Sequence, residues 1–326
     1  MGPGAHVRGC CLLEEGARGA HSVGIKHTIL FPYVTLGSLI NFCDCLMAGG
    51  TDKKNHSEVG SSYIHFNYTP NQDKATASLI GDVPRGVMLN QRPIFLGGQG
   101  GLVGPVRIAY GVMVAAGTIV RKDVLGENSM VLGHPSVTRK IPWRPGVFSN
   151  IKRIIELNSL YIANLIALRN WYLLVRKPFL CATPMGQAIY NGAVEKIEMA
   201  VAERVKRLQE VAERMEESIR MLSASSHGRS TRILVERKKE FQRRWPQVKD
   251  VFGRWASVVY KDSHYGSFSR AIDQATHGSD SEYISVIKSL SESDASQGTA
   301  WLEGLIDKVV DEVWSVLPSF KRKERR

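Results

Sequence analysis

The groups best suited to chemistry in this 326-residue chain lie in two polar stretches, residues 51–58 and 67–78. The second reads NYTPNQDKATAS and brings together Asn67, Tyr68 and Lys74. Amides and a phenol give oriented hydrogen bonds and a lysine supplies positive charge, so this set suits a phosphorylated or hydroxylated ligand. The first, TDKKNHSE, carries His56 two residues before Glu58. Metal chemistry finds no support: Cys10-Cys11 are adjacent, Cys43 and Cys45 are one residue apart, and Cys181 stands alone, with no zinc-type spacing. His227, His264 and His277 are likewise without ligand spacing.

Both stretches interrupt a beat of six. From Leu96 the sequence reads LGGQGG, LVGPVR, IAYGVM, VAAGTI, VRKDVL, with aliphatic leaders at Leu96, Leu102, Ile108, Val114 and Val120. A helix repeats at three and four and a half-buried strand at two, so a period of six fits neither. It predicts short strands joined at corners, three hexads per coil, each leader stacking on the leader one coil away. Weaker hexads open at Leu30, Leu36, Phe42, Ala48, Val59 and Ile80. Insertions into such a coil are the natural places for binding loops.

Glycine marks where this pattern stops. Residues 1–147 hold 22 of the 30 glycines, and the rest of the chain reads as helix. Apolar residues recur at three-to-four spacing over Asn150–Lys177, and Thr183-Pro184 is a capped start for a helix carrying the seam Val201, Val205, Leu208, Ala212, Met215, Ile219 and Leu222. After a polar break at Ser223–Ser230, amphipathic segments follow at Thr231–Arg244, Gln247–Tyr260, Ser281–Ser291 and Thr299–Leu317. The expected organisation is an N-terminal extension (1–25), a hexapeptide-repeat domain (26–147) and an α-helical domain (148–326). The expected fold class is a β-solenoid, a left-handed parallel β-helix, followed by an all-α region.

Net charge of +12 attracts anions, yet no nucleic-acid-binding motif accompanies it, and the terminal KRKERR reads as a solvated tail. No apolar run reaches the ~20 residues that span a membrane, and no secretory signal opens the chain. A cytoplasmic protein with reduced thiols is expected.

The stretch His65–Pro105, with Asn67-Tyr68, Asp73-Lys74, Ile80-Gly81-Asp82, Phe95-Leu96-Gly97 and Leu102-Val103-Gly104-Pro105, resembles a sugar-nucleotide enzyme. It is similar to the acetyltransferase domain of bacterial bifunctional N-acetylglucosamine-1-phosphate uridylyltransferase/glucosamine-1-phosphate acetyltransferase. The likeness runs on through Ala115-Ala116-Gly117-Thr118 and Gly126-Glu127-Asn128 and covers about residues 30–135. It implies a left-handed β-helix, a homotrimer, and acetyl-CoA in a groove between neighbouring prisms. It also implies that Asn67 and Tyr68 border the sugar, that Lys74 meets its phosphate, and that the Ala116 backbone lies along the cofactor arm. The family's nucleotidyltransferase half is expected to be missing, with residues 1–25 a remnant linker or an alternative start.

Three positions depart from the family. Asp44 stands where its catalytic histidine is expected, which leaves His56 or His65 to act as base; histidine as a residue type titrates near neutrality, and Glu58 could orient His56. Gly98 replaces a serine of the cofactor groove, and His134 falls where an arginine meets the CoA phosphates. Two functions are therefore expected as alternatives. One is an acetyl-CoA-dependent sugar-phosphate or sugar-nucleotide acyltransferase; the other is a non-catalytic trimerisation or sugar-phosphate-sensing module.

Overall fold

The computed structural model describes residues 1–133, 140, 143–225, 228–276 and 282–320. Its strands are, in chain order, β1 (His6–Val7), β2 (Leu12–Leu13), β3 (Arg18–Gly19), β4 (Gly24–Leu30), β5 (Thr35–Leu36), β6 (Asn41–Met47), β7 (Glu58–Val59), β8 (Ile64–Phe66), β9 (Ser78–Ile80), β10 (Phe95–Leu96), β11 (Gly101–Val103), β12 (Arg107–Ile108), β13 (Met113–Val114), β14 (Ile119–Val120) and β15 (Met130–Val131). All pairings are parallel, and they form one sheet of nine strands and one of six. The smaller sheet runs β15-β13-β10-β7-β5-β3 and the spine of the larger runs β1-β4-β6-β8-β11-β14. Leu96 lies beside Val114 and Leu102 beside Val120, so aliphatic side chains eighteen residues apart share a column. All four are buried. Residues 1–25, expected as a linker, supply β1 to β3 and open β4.

Helices complete the molecule: α1 (Val83–Gly86), α2 (Ile151–Trp171), α3 (Lys177–Leu180), α4 (Pro184–Glu213), α5 (Met215–Ser225), α6 (Arg229–Ser257), α7 (Ser263–Thr276), α8 (Tyr283–Ser289) and α9 (Glu292–Val316). Thr183 caps α4, its Oγ1 accepting the Gly186 amide at 3.1 Å. The helix expected to end before Pro178 ends instead at Trp171 and passes through a π-helical turn, Tyr172–Arg176, into α3. The two segments expected on either side of Pro246 are one helix, α6, with the proline on its exposed side. Proline forfeits one backbone hydrogen bond there, while the apolar stripe Phe241, Trp245, Val248, Phe252 stays buried on both sides of it.

This arrangement corrects the expected fold class. The strands make two parallel sheets rather than the three faces of a left-handed β-helix solenoid, and no separate all-α region follows, because α2 and α4 pack on strands of the larger sheet and the other helices pack on them and on one another. The class is α/β. A six-residue beat marks where corners fall, but not how ladders join: β4 and β6 each run on for seven residues and pair along nearly their whole length, from Gly24↔Asn41 to Leu30↔Met47, which merges two would-be faces into one sheet. Helix α2 is itself largely buried and bonds to strand-half backbone, Asn158 Nδ2 donating to Ala75 O at 3.0 Å and the Val83 amide to Asn164 Oδ1 at 2.9 Å. One apolar core therefore runs from Cys10 to Phe320 across both halves. Among the described residues no helix is long and apolar enough to cross a membrane.

Candidate functional site

Asn67 directly follows β8, and its side-chain amide donates to Asp44 Oδ2 at 3.2 Å. Asp44 is 3% exposed and 2% exposed Arg204, from α4, closes its other oxygen: Nη2 reaches Oδ1 at 2.7 Å. Arg204 Nη1 also donates to the carbonyl of Lys74 at 3.4 Å. The neighbourhood where the resemblance places a catalytic base is thus filled by an ion pair of this chain. Tyr68 and Lys74 remain outside it, Tyr68 57% exposed and the Lys74 side chain open to solvent.

The contact is built by register. Cys10, His27 and Asp44, seventeen residues apart, all take positive φ (63°, 48° and 60°), a conformation that β-carbon crowding makes costly outside glycine. They present a column to α4. Cys10 Sγ donates to Lys196 O at 3.4 Å, His27 Nε2 lies 3.9 Å from Glu203 Oε1, and Asp44 takes Arg204. From Lys196 to Arg204 eight residues of helix rise about 12 Å, close to the about 9.6 Å of the two strand spacings from Cys10 to Asp44, so this stretch of α4 spans all three rungs of the column.

His65 sits inside the core. With its Nδ1–H donated to the Cys43 carbonyl at 2.5 Å, its Nε2 is left to accept the Ser78 hydroxyl at 2.7 Å, and that hydroxyl oxygen also takes the Val106 amide at 3.0 Å. Burial pushes the imidazole down to about 4 and keeps it neutral. A ring 2% exposed with both nitrogens engaged has no path to a substrate proton; its chemistry is to tie β6, β8 and β9 together.

His56 is placed differently. An Asp52 turn, in which Oδ1 accepts the Lys54 and Asn55 amides at 2.8 and 3.0 Å, presents it on the wall of an open cleft of about 590 Å³. Its Nδ1 lies 3.0 Å from the Lys53 carbonyl and its Nε2 3.5 Å from Glu58 Oε2. Lys54, Asn55, Arg92 and Asn128 line the same cleft, with the apolar edge formed by Phe95, Met113 and Met130. Arg92 Nη1 donates to the neutral Asn128 Oδ1 at 2.9 Å, so its charge is held in place but not neutralised by that bond. Asn67, Tyr68 and Lys74 do not line this cleft. The structure thus separates the residues that sequence reasoning grouped as base and sugar clamp.

The implied cofactor residues fall elsewhere again. Ala116 lines a shallow cleft of about 700 Å³ with Thr118, Arg121, Lys122 and Leu132. Gly98 packs so tightly that a β-carbon would lie 2.8 Å from the Ser61 carbonyl oxygen, which excludes the family's serine without a backbone shift. His134 lies outside the described residues, as do His227, His277 and the KRKERR tail.

Sequence reasoning missed Arg92 and Arg204. Arg92 had no signal beyond its charge. Arg204 had one: it stands in the apolar stripe Ile197, Val201, Arg204, Leu208, Val211, whose steps of four and three mark a buried helix face. Among the described residues no cluster of three or more His, Cys, Asp or Glu is arranged to hold a metal. No known protein-family model matches the chain.

Proposed function

We propose that this chain is a binding module for a phosphorylated sugar, seated in the cleft of His56, Lys54 and Arg92. The observation that carries the reading is the convergence of two cationic side chains, two amides and an imidazole on one open cleft that a single carboxylate, Glu58, also lines, while Arg204 fills the neighbourhood of Asp44 and Asn67. Lysine and arginine attract phosphate, and arginine can grip it through two parallel bonds. Asn55 and Asn128 supply donors and acceptors for sugar hydroxyls. The exposed Ile64, Phe66 and Ile119 on the larger sheet support self-association, for which a homotrimer is the reading. The five free cysteines support a reducing, cytoplasmic setting.

One observation favours a second reading, acetyl transfer from acetyl-CoA with His56 as base. A ring whose Nδ1–H is given to the Lys53 carbonyl carries its lone pair on Nε2, the tautomer a general base needs. Calorimetric titration with glucosamine-1-phosphate, and separately with acetyl-CoA, distinguishes the two. The binding reading expects sugar-phosphate uptake that weakens at least about tenfold in Lys54→Gln/Arg92→Gln, with no CoA uptake. Absence of sugar-phosphate binding overturns it. Acetyl transfer that disappears in His56→Ala replaces it with the second reading.

A further inference from the structure

A groove of about 1060 Å³ lies between helices, and nothing in the sugar-phosphate reading uses it. Its walls are α4 from Glu198 to Gln209 and α6 from Lys249 to Ser257. At about 1.5 Å per residue that is a trough some 12 to 17 Å long, open to solvent along its length. The bottom is apolar and low: Val201, Ala202 and Val205 from α4 face Phe252, Gly253 and Ala256 from α6. A β-carbon added at Gly253 would touch nothing within 4 Å, so the floor there is empty space.

Two neighbouring helical walls with an apolar floor have the shape into which the side-chain ridge of a third helix packs. The lips then select its charge. Lys206 stands on one lip and Lys249 on the other, against Asp250, while Arg254 is held by Glu312. The remaining acid, Glu198, is already taken by Arg169, whose Nε lies 2.8 Å from its Oε1. Lys249 makes a 3.3 Å bond to the neutral Gln209 Oε1 across the trough, a contact a carboxylate would readily replace. We propose that this groove is a docking site for an amphipathic helix of a partner protein, one with a narrow apolar ridge flanked by acidic side chains.

The test uses the whole protein and two synthetic peptides of about 18 residues, long enough to hold helix when bound. They share a leucine ridge at three-to-four spacing; one is flanked by glutamates and the other by lysines. Fluorescence anisotropy should show the acidic peptide binding at least about tenfold more tightly than the basic one. Gly253→Leu, which fills the floor from an exposed helical position, should abolish binding without lowering the thermal melt, since leucine favours helix over glycine. Lys206→Glu combined with Lys249→Glu should reverse the preference between the peptides. Equal affinity for the two peptides, or acidic-peptide binding that survives Gly253→Leu, overturns the proposal. So does a dimer of the free protein that Gly253→Leu dissociates, because the groove's occupant is then a second copy of this chain.

Discussion

Replacing Glu14 by Gln should flatten one segment of the protein's stability–pH curve, and the structure gives both sign and size. Glu14 lies in the turn after β2, buried against Tyr172 of the π-helical turn. Burial pushes its carboxyl up from the ordinary 4.5 to about 7; Arg176 opposes this and Glu15 reinforces it. Tyr172 donates its hydroxyl to Oε1 at 2.5 Å, a bond a glutamine carbonyl can accept equally well. Between pH 4.5 and about 7 the folded chain holds a proton that the unfolded chain has released, so stability falls as pH rises through that window. At about 1.36 kcal/mol per pH unit the loss is about 3 kcal/mol, complete above pH 7. His65 acts with the opposite sign: its folded value, about 4 against an ordinary 6.5, makes stability rise with pH between those limits. The two nearly cancel in the unaltered protein, so the informative quantity is the difference between variant and parent. Urea unfolding from pH 4 to 8 should show Glu14→Gln gaining about 2–3 kcal/mol over the parent from the acid end to the neutral end, with m unchanged. A difference that stays constant across this range refutes the assignment of the buried proton to Glu14.

Two further outcomes follow from the buried cations. Lys238 is fully covered, bonded through Nζ to Ser218 Oγ at 2.7 Å, and burial pushes it down to about 8. Lys238→Met should raise urea-unfolding stability by about 1–3 kcal/mol at pH 7, with the gain shrinking as pH climbs from 8 toward 10.5, where the unfolded lysine also becomes neutral. Arg204→Ala, which strands the Asp44 carboxylate in the core, should cost about 3–5 kcal/mol, while Arg204→Met with Asp44→Asn should recover most of that loss in the same measurement.

The parts legible in the sequence were those fixed by local geometry. Leu96, Leu102, Ile108, Val114 and Val120 announced their burial because a corner every six residues forces the leader inward, and all five are buried. Thr183-Pro184 announced α4 because a side-chain acceptor followed by a ring-fixed φ suits a helix start and little else. Where local rules are silent, reading failed. The two-residue strands of residues 1–25 are too short to show alternation, and the fusion of ladders through β4 and β6 depends on pairing that no single segment encodes. The grouping of His65 with Asn67, Tyr68 and Lys74 failed for a related reason: proximity in sequence does not say which side of a strand a ring occupies, and His65 points inward.

The failures with a usable signal were charges in apolar stripes. Arg204 follows Ile197 and Val201 and precedes Leu208; Lys238 sits between Val235 and Phe241. A cation at such a position must find a polar partner, because an unpaired buried charge costs several kcal/mol. For Arg204 that partner is Asp44, 160 residues earlier and held in the left-handed conformation that turns it toward α4. The glycine count changes abruptly near Pro145, but this ion pair and the continuous core cross that point. Composition therefore marks a change in local structure here and not an energetic boundary: what α4 covers, and what ligand the strand half can still accept, is decided by residues from both sides of it.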